Sequence, residues 1–223
     1  MKYDVNNFIA IGGCCLSVYV LGPQRIKGPV DNVLIFNKNA LDLLLNNKYY
    51  SYIKHHTPLK TRKANIVPWE PEFNYEYTDF VRIVHNNVED SKFKPELKKR
   101  VNIFNKFYNE FKSDKNKHFI FTIPYSMVDN GKLIDKKLEE CIILLKEYNI
   151  LNRTIFIGSK KSDKVNWKVW YNNYLDLESL NYLSAKYNIK YLELNDVIIT
   201  RKGYQQKIKL QEQFINKISN FLN

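Results

Sequence analysis

Asn7-Phe8-Ile9-Ala10-Ile11-Gly12-Gly13-Cys14-Cys15-Leu16-Ser17 is the stretch on which the fold turns. Residues 7–11 predict a short buried strand. Gly12 and Gly13 permit a tight turn, and residues 15–21 predict a short helix stopped by Gly22 and Pro23. The same alternation recurs further along. Residues 80–85 predict a strand with Val81, Ile83 and His85 on one face by the period of two. Phe93, Leu97, Phe104, Phe107 and Phe111 follow at helical spacing. Residues 118–123 read as a strand broken at Pro124, and Ile134, Leu138, Cys141, Ile142 and Leu145 as one face of an amphipathic helix. A strand at 154–157 closes at Gly158. A helix at about 176–186 leads into a strand at 190–194, and Leu210, Phe214, Ile218 and Phe221 mark a closing helix. The expected fold class is therefore α/β: a single layered domain over residues 1–223, with a central sheet flanked by helices.

Two segments read less regularly. Asp31 has the character of an N-cap for a longer helix reaching Leu45. Residues 46–77 read as irregular, with Pro58, Pro68, Pro71 and Trp69, and suit an excursion over the mouth of a site.

Composition narrows the function classes. At 223 residues the chain can bury a sizeable core, and 44% hydrophobic with 26% charged residues is an ordinary globular balance. No apolar run approaches the ~20 residues that cross a bilayer, and the first residues lack a signal-like apolar region. Three cysteines, two of them adjacent, make no disulfide framework, so a reducing, cytoplasmic setting is expected. The net charge is +12, yet only six of the 35 basic residues are arginine: Arg25, Arg62, Arg82, Arg100, Arg153 and Arg201. A lysine- and asparagine-rich bias of this kind follows from AT-rich coding. Nucleic-acid interfaces favour the bidentate arginine fork, so nucleic acid is not the expected partner. The charge suits steering toward an acidic protein.

The residues at the end of the first strand carry the chemistry. A cysteine opening a helix faces unpaired N–H groups and a partial positive charge, both of which stabilise a thiolate. The same turn, Gly13 and Cys14, can donate N–H groups to an oxyanion. Small residues packed where a strand meets a helix explain the same pattern with inert thiols. Cys15 begins the helix and is the better nucleophile; Cys14 falls in the turn. Cys141 lies on the apolar stripe of its helix and reads as core. Of the four histidines, His55 and His56 fall in the irregular stretch and His118 follows a lysine-rich loop, so all three read as solvated. His85, at the end of a strand, is the candidate base. No C-x-x-C pair, H-E-x-x-H motif or phosphate loop occurs, so no metal and no cofactor are expected. Gly158-Ser159-Lys160-Lys161 reads as a strand cap.

In these places the chain resembles a bacterial family described as putative papain-like cysteine peptidases. The resemblance rests on Gly12-Gly13-Cys14-Cys15, on Gly28-Pro29-Val30-Asp31, on His85 closing a middle strand, and on Lys99-Arg100-Val101-Asn102-Ile103-Phe104 followed by Phe119-Ile120-Phe121. It runs over about residues 7–125. Val30 stands where the family has an aromatic, and Asn86 where an aspartate is expected. The resemblance implies Cys–His acyl chemistry: His85 takes the Cys15 proton, and the thiolate forms a thioester acyl-enzyme. Release by an amine makes the chain an amide-forming acyltransferase of peptide-like natural-product (antibiotic) pathways, drawing on an acidic acyl-carrier protein and an amine acceptor. Release by water makes it a peptidase or amidase. A basic binding module that keeps the fold without the chemistry is the third reading. The residue orienting the imidazole is either Asp129, which follows the histidine as in papain-like enzymes, or Asp31 of the Gly-Pro-x-Asp segment. Papain-like folds segregate helices from strands, so the resemblance bears on chemistry more than on layering.

Overall fold

A computed structural model of the chain describes residues 4–12, 16–22, 26, 28, 33–55, 60–67, 70–78, 81–86, 90–124, 127–134, 136–160, 174–194 and 203–222. Its framework is a parallel four-stranded sheet built from β1 (Phe8–Gly12), β6 (His118–Thr122), β9 (Thr154–Ser159) and β10 (Lys190–Leu194), side by side in chain order. Phe8 pairs with His118, Phe119 with Thr154, and Ile155 with Lys190, so the strands run level and their carboxyl ends form one rim. Nearly continuous apolar runs such as Phe8-Ile9-Ala10-Ile11 are what a sheet covered on both faces requires.

Both faces are covered. Alternate residues of a strand point to opposite sides. On one side the Phe8 ring meets Phe214 of α7 (Gly203–Leu222) edge-on, with centroids 5.2 Å apart. On the other, Phe119 meets Tyr108 and Phe111 of α4 (Asp90–Ser113) at 5.9 and 6.1 Å. Arg153, just before β9, closes the end of α4. Its guanidinium donates to the carbonyls of Phe111, Asp114 and Lys112 at 2.5, 2.6 and 3.0 Å and lies over the Phe119 ring. These are carbonyls that a helix end leaves without intrahelical donors.

The remaining crossovers are α5 (Lys137–Glu147) and α6 (Leu177–Tyr187). Buried Glu139 of α5 clasps them together: one carboxylate oxygen accepts from Tyr182, Lys186 and Tyr187 of α6 at 2.9, 2.7 and 2.6 Å. Asp176 caps α6 by accepting from the Ser179 N–H at 2.8 Å. The short α1 (Leu16–Leu21) ends at Gly22, whose φ of +73° is the left-handed cap that glycine adopts without strain. A Cβ there would stand 2.5 Å from the Gln211 side chain of α7.

A second sheet corrects the expected architecture. β2 (Val33–Phe36), β3 (Lys60–Val67), β4 (Glu70–Thr78) and β5 (Val81–Asn86) form an antiparallel sheet in the order β2-β5-β4-β3. The helix expected from Asp31 to Leu45 does not exist as one element. Val33-Leu34-Ile35-Phe36 is an apolar run too short for periodicity to separate strand from helix, and it pairs with β5. The helix α2 (Lys38–Leu45) starts six positions later than expected, capped by Asn37, whose side chain accepts from Asn39 and Ala40 N–H groups at 3.0 and 3.3 Å. Asp31 is thus not the helix cap. Nor is 46–77 irregular: it holds α3 (Tyr49–His55), β3 and β4. The alternation Phe73-Asn74-Tyr75-Glu76-Tyr77 was a strand signal, and Pro71 is tolerated one residue into β4. The two-residue strands β7 (Val128–Asp129) and β8 (Lys132–Leu133) form a hairpin through Asn130-Gly131, both at positive φ, a turn chemistry that favours this dipeptide.

Candidate active site

Ligands of open parallel sheets gather outside the carboxyl ends of the strands. Here that rim begins at Gly12, the last residue of β1. The buried Thr122 hydroxyl, at the end of β6, donates to the Gly12 carbonyl at 3.2 Å and ties the two strand ends together. The Ile123 N–H donates to Ile157 of β9 at 2.9 Å, and the Lys160 N–H to Leu194 of β10 at 2.7 Å. All four strand ends are therefore cross-linked at this edge. Lys160 continues the β9–β10 pairing, and β9 itself runs through Gly158 to Ser159, beyond the stop expected at Gly158. Thr122 carries no motif, so its role was not legible in the sequence.

Gly13, Cys14 and Cys15 follow Gly12 and lie outside the described residues, as does Asp31. α1 begins at Leu16, so Cys15 immediately precedes the first helical residue. His85 is the penultimate residue of β5. It belongs to the antiparallel sheet, not to the parallel one that carries β1. Two described contacts lie near the candidates along the chain. Gly28, which opens the Gly-Pro-x-Asp segment, is buried beside β1: a Cβ there would stand 3.7 Å from the Phe104 ring and 3.9 Å from the Ala10 carbonyl oxygen. Five residues later Val33 opens β2 and pairs with Ile83 of β5 in antiparallel register.

Asp129 is exposed on the β7–β8 hairpin, where its carboxylate accepts from the Asn130 side chain at 3.2 Å. The hairpin is braced from behind: the Asp176 N–H donates to the Gly131 carbonyl at 2.9 Å. Cys141 is wholly buried in α5, and burial, reinforced by Glu140, pushes its thiol far above the ordinary range. It is core, as its position on the apolar stripe implied.

His118 corrects the expectation of a solvated ring. It opens β6 at the amino edge of the sheet and is half-buried, stacked on Phe8 with centroids 5.8 Å apart. Burial, then the charges of Lys190 and Arg153, hold its pKa below the usual histidine value. His55 closes α3, and His56 lies outside the described residues.

Among the described residues no three His, Cys, Asp or Glu side chains group as a metal site, and no helix is long and apolar enough to cross a membrane. Comparison with known protein families, characterised proteins and solved structures finds no match to this chain.

Proposed function

We propose that the chain is a cysteine-dependent acyltransferase, related in chemistry to papain-like enzymes, that forms an amide by aminolysis of a carrier-bound acyl thioester. The observation that carries this reading is the meeting of the Gly28 backbone with β1. It sets Gly28, the first residue of the Gly-Pro-x-Asp sequence, beside the strand that leads to Cys15, and five residues on the chain enters β2, the partner of the His85 strand. Each candidate lies within a short tether of a described anchor. Cys15 is three residues from Gly12, and Asp31 is three from Gly28, each at most about 10 Å of chain.

Asp31 and Asp129 are the two candidates for the group that orients the imidazole; Val33, two residues after Asp31 in the chain, pairs with Ile83, two residues before His85. Asp129 sits on a separate hairpin with its carboxylate engaged by Asn130.

In the proposed cycle His85 accepts the Cys15 proton and the thiolate adds to the thioester carbonyl. The N–H groups of Gly13 and Cys14 take the oxyanion. Collapse expels the carrier thiolate, which takes the proton from His85, and leaves Cys15 acylated. An amine then attacks, His85 removes its proton, and the Cys15 thiolate leaves as the amide forms. The net charge of +12 suits an acidic carrier as donor.

The test supplies an acyl thioester with and without a diamine and follows the products by mass. The adduct should form on Cys15, be absent in Cys15→Ala, and form ~10²–10⁴-fold more slowly in His85→Ala. Whichever of Asp31→Asn and Asp129→Asn lowers turnover more identifies the residue that orients the imidazole. Amide exceeding free acid supports transfer, whereas hydrolysis insensitive to amine assigns a peptidase or thioesterase instead. Full activity in Cys15→Ala refutes the thiol mechanism.

A further inference from the structure

At the opposite, amino edge of the parallel sheet lies a cavity of about 450 Å³, between the ends of α5 and α6 and the start of β10. Three lysines line it: Lys146 in the last turn of α5, Lys186 in the last turn of α6, and Lys190 at the head of β10. Asn149, Asn152 and Asn188 supply carboxamides. Asn149 and Asn188 each follow a helix in the left-handed conformation, at φ 57° and 51°, which fixes the two turns that frame the opening. Lys186 is paired with Glu139 at 2.7 Å. Among the described residues, neither Lys146 nor Lys190 has a carboxylate partner. The neighbouring cations do not lose charge either: Arg153 is bound to carbonyls, and Lys117 donates to the Asn6 carbonyl and the Asn7 side chain at 3.3 and 2.9 Å.

We propose that this cavity binds a small phosphate ester, its phosphoryl group between Lys146 and Lys190 and its organic part against the asparagine carboxamides. The volume lies within the ~300–1,000 Å³ of small-molecule sites and exceeds what inorganic phosphate alone fills. Two ammonium groups without carboxylate partners neutralise a phosphoryl dianion, and carboxamides donate and accept at hydroxyl or base edges. Lysines at helix ends also complement the helix dipole, but that role asks for no ligand, and Lys190 is on a strand.

Amide chemical-shift mapping on the full chain, at ~0.15 M salt, separates these roles. The probes are adenosine monophosphate, adenosine and inorganic phosphate. The monophosphate should shift the amides of Asn149, Asn188 and Lys190 and bind at least tenfold more tightly than either other probe. Lys146→Met with Lys190→Met should abolish that preference, and thermal melting checks that the variant folds. The site is independent of the thiol, so Cys15→Ala should bind as wild type does. Equal binding of adenosine and its monophosphate, monophosphate no tighter than inorganic phosphate, or unchanged binding in the lysine variant would each overturn the proposal.

Discussion

Replacing Glu139 by glutamine isolates the charge of the α5–α6 clasp while keeping its shape. Three donors converge on one oxygen of this buried carboxylate, and the hydrogen bonds from Lys186 and then Tyr187 hold its pKa at about 2 instead of 4.5. A carboxyl held that low contributes at most about 3 kcal/mol at neutral pH. Half of the Lys186 side chain is in water, and screening there reduces the figure to about 1–2 kcal/mol. The folded value is depressed, so the contribution is complete above the unfolded value near 4.5 and vanishes as pH falls toward 2. For a chain of this size the expected gap in Tm between wild type and Glu139→Gln is about 2–8 °C at pH 7. Melting both proteins by circular dichroism from pH 7 down to pH 2.5 should show the gap narrowing below pH 4.5. Other carboxylates titrate in the same window, but they are common to both proteins and cancel in the difference. A gap that stays constant with pH, or no gap at pH 7, would refute the assignment.

Arg153→Lys should lose about 2–3 kcal/mol in urea denaturation, nearly as much as Arg153→Ala, because an ammonium cannot reach three carbonyls from one fork; a fully stable lysine variant would contradict the capping role. Gly22→Ala should cost about 1–3 kcal/mol, and shortening Gln211 to serine should recover only the steric part, since the positive φ persists; full recovery would mean that backbone strain contributes nothing. Cys141 should resist Ellman's reagent in the folded protein and react fully in guanidinium, because its thiol is buried and its pKa is raised; fast native labelling at Cys141, mapped by peptide digestion, would contradict the packing.

The parallel sheet was readable because β1, β6 and β9 carry short apolar runs and the helices between them carry stripes, although β9 continues through Gly158 to Ser159, past the expected stop. Phe104 and Phe111 are buried on α4 as their spacing requires, and Phe214 and Ile218 on α7 likewise. The antiparallel sheet was misread for two reasons. Val33–Phe36 is four residues long, below the length at which period decides, and Asp31 offered a helix cap that Asn37 in fact supplies to α2. Prolines at positions 58, 68 and 71 read as irregular backbone, whereas Pro71 stands within a paired strand. Residue chemistry pointed to Cys15 and His85, but no periodicity tells which sheet a strand joins. That His85 rides on the sheet begun by β2 became legible only from the pairing of Val33 with Ile83.

The disposition of positive charge explains how a lysine-rich chain folds with so few acids. Arg153, Lys117 and Lys217 direct their donors at backbone carbonyls, the last at Glu193. A carbonyl satisfies the hydrogen bonds of a cation without cancelling its charge. Each such contact therefore stabilises the fold and leaves the charge in place; at the amino edge burial first, and then the charges of Lys190 and Arg153, hold the His118 pKa down. Coding bias can supply the lysines, but it does not dictate that they cap helix ends and strand starts. The charges of Arg153, Lys117 and Lys217 are thus carried by side chains hydrogen-bonded to the frame of the parallel sheet.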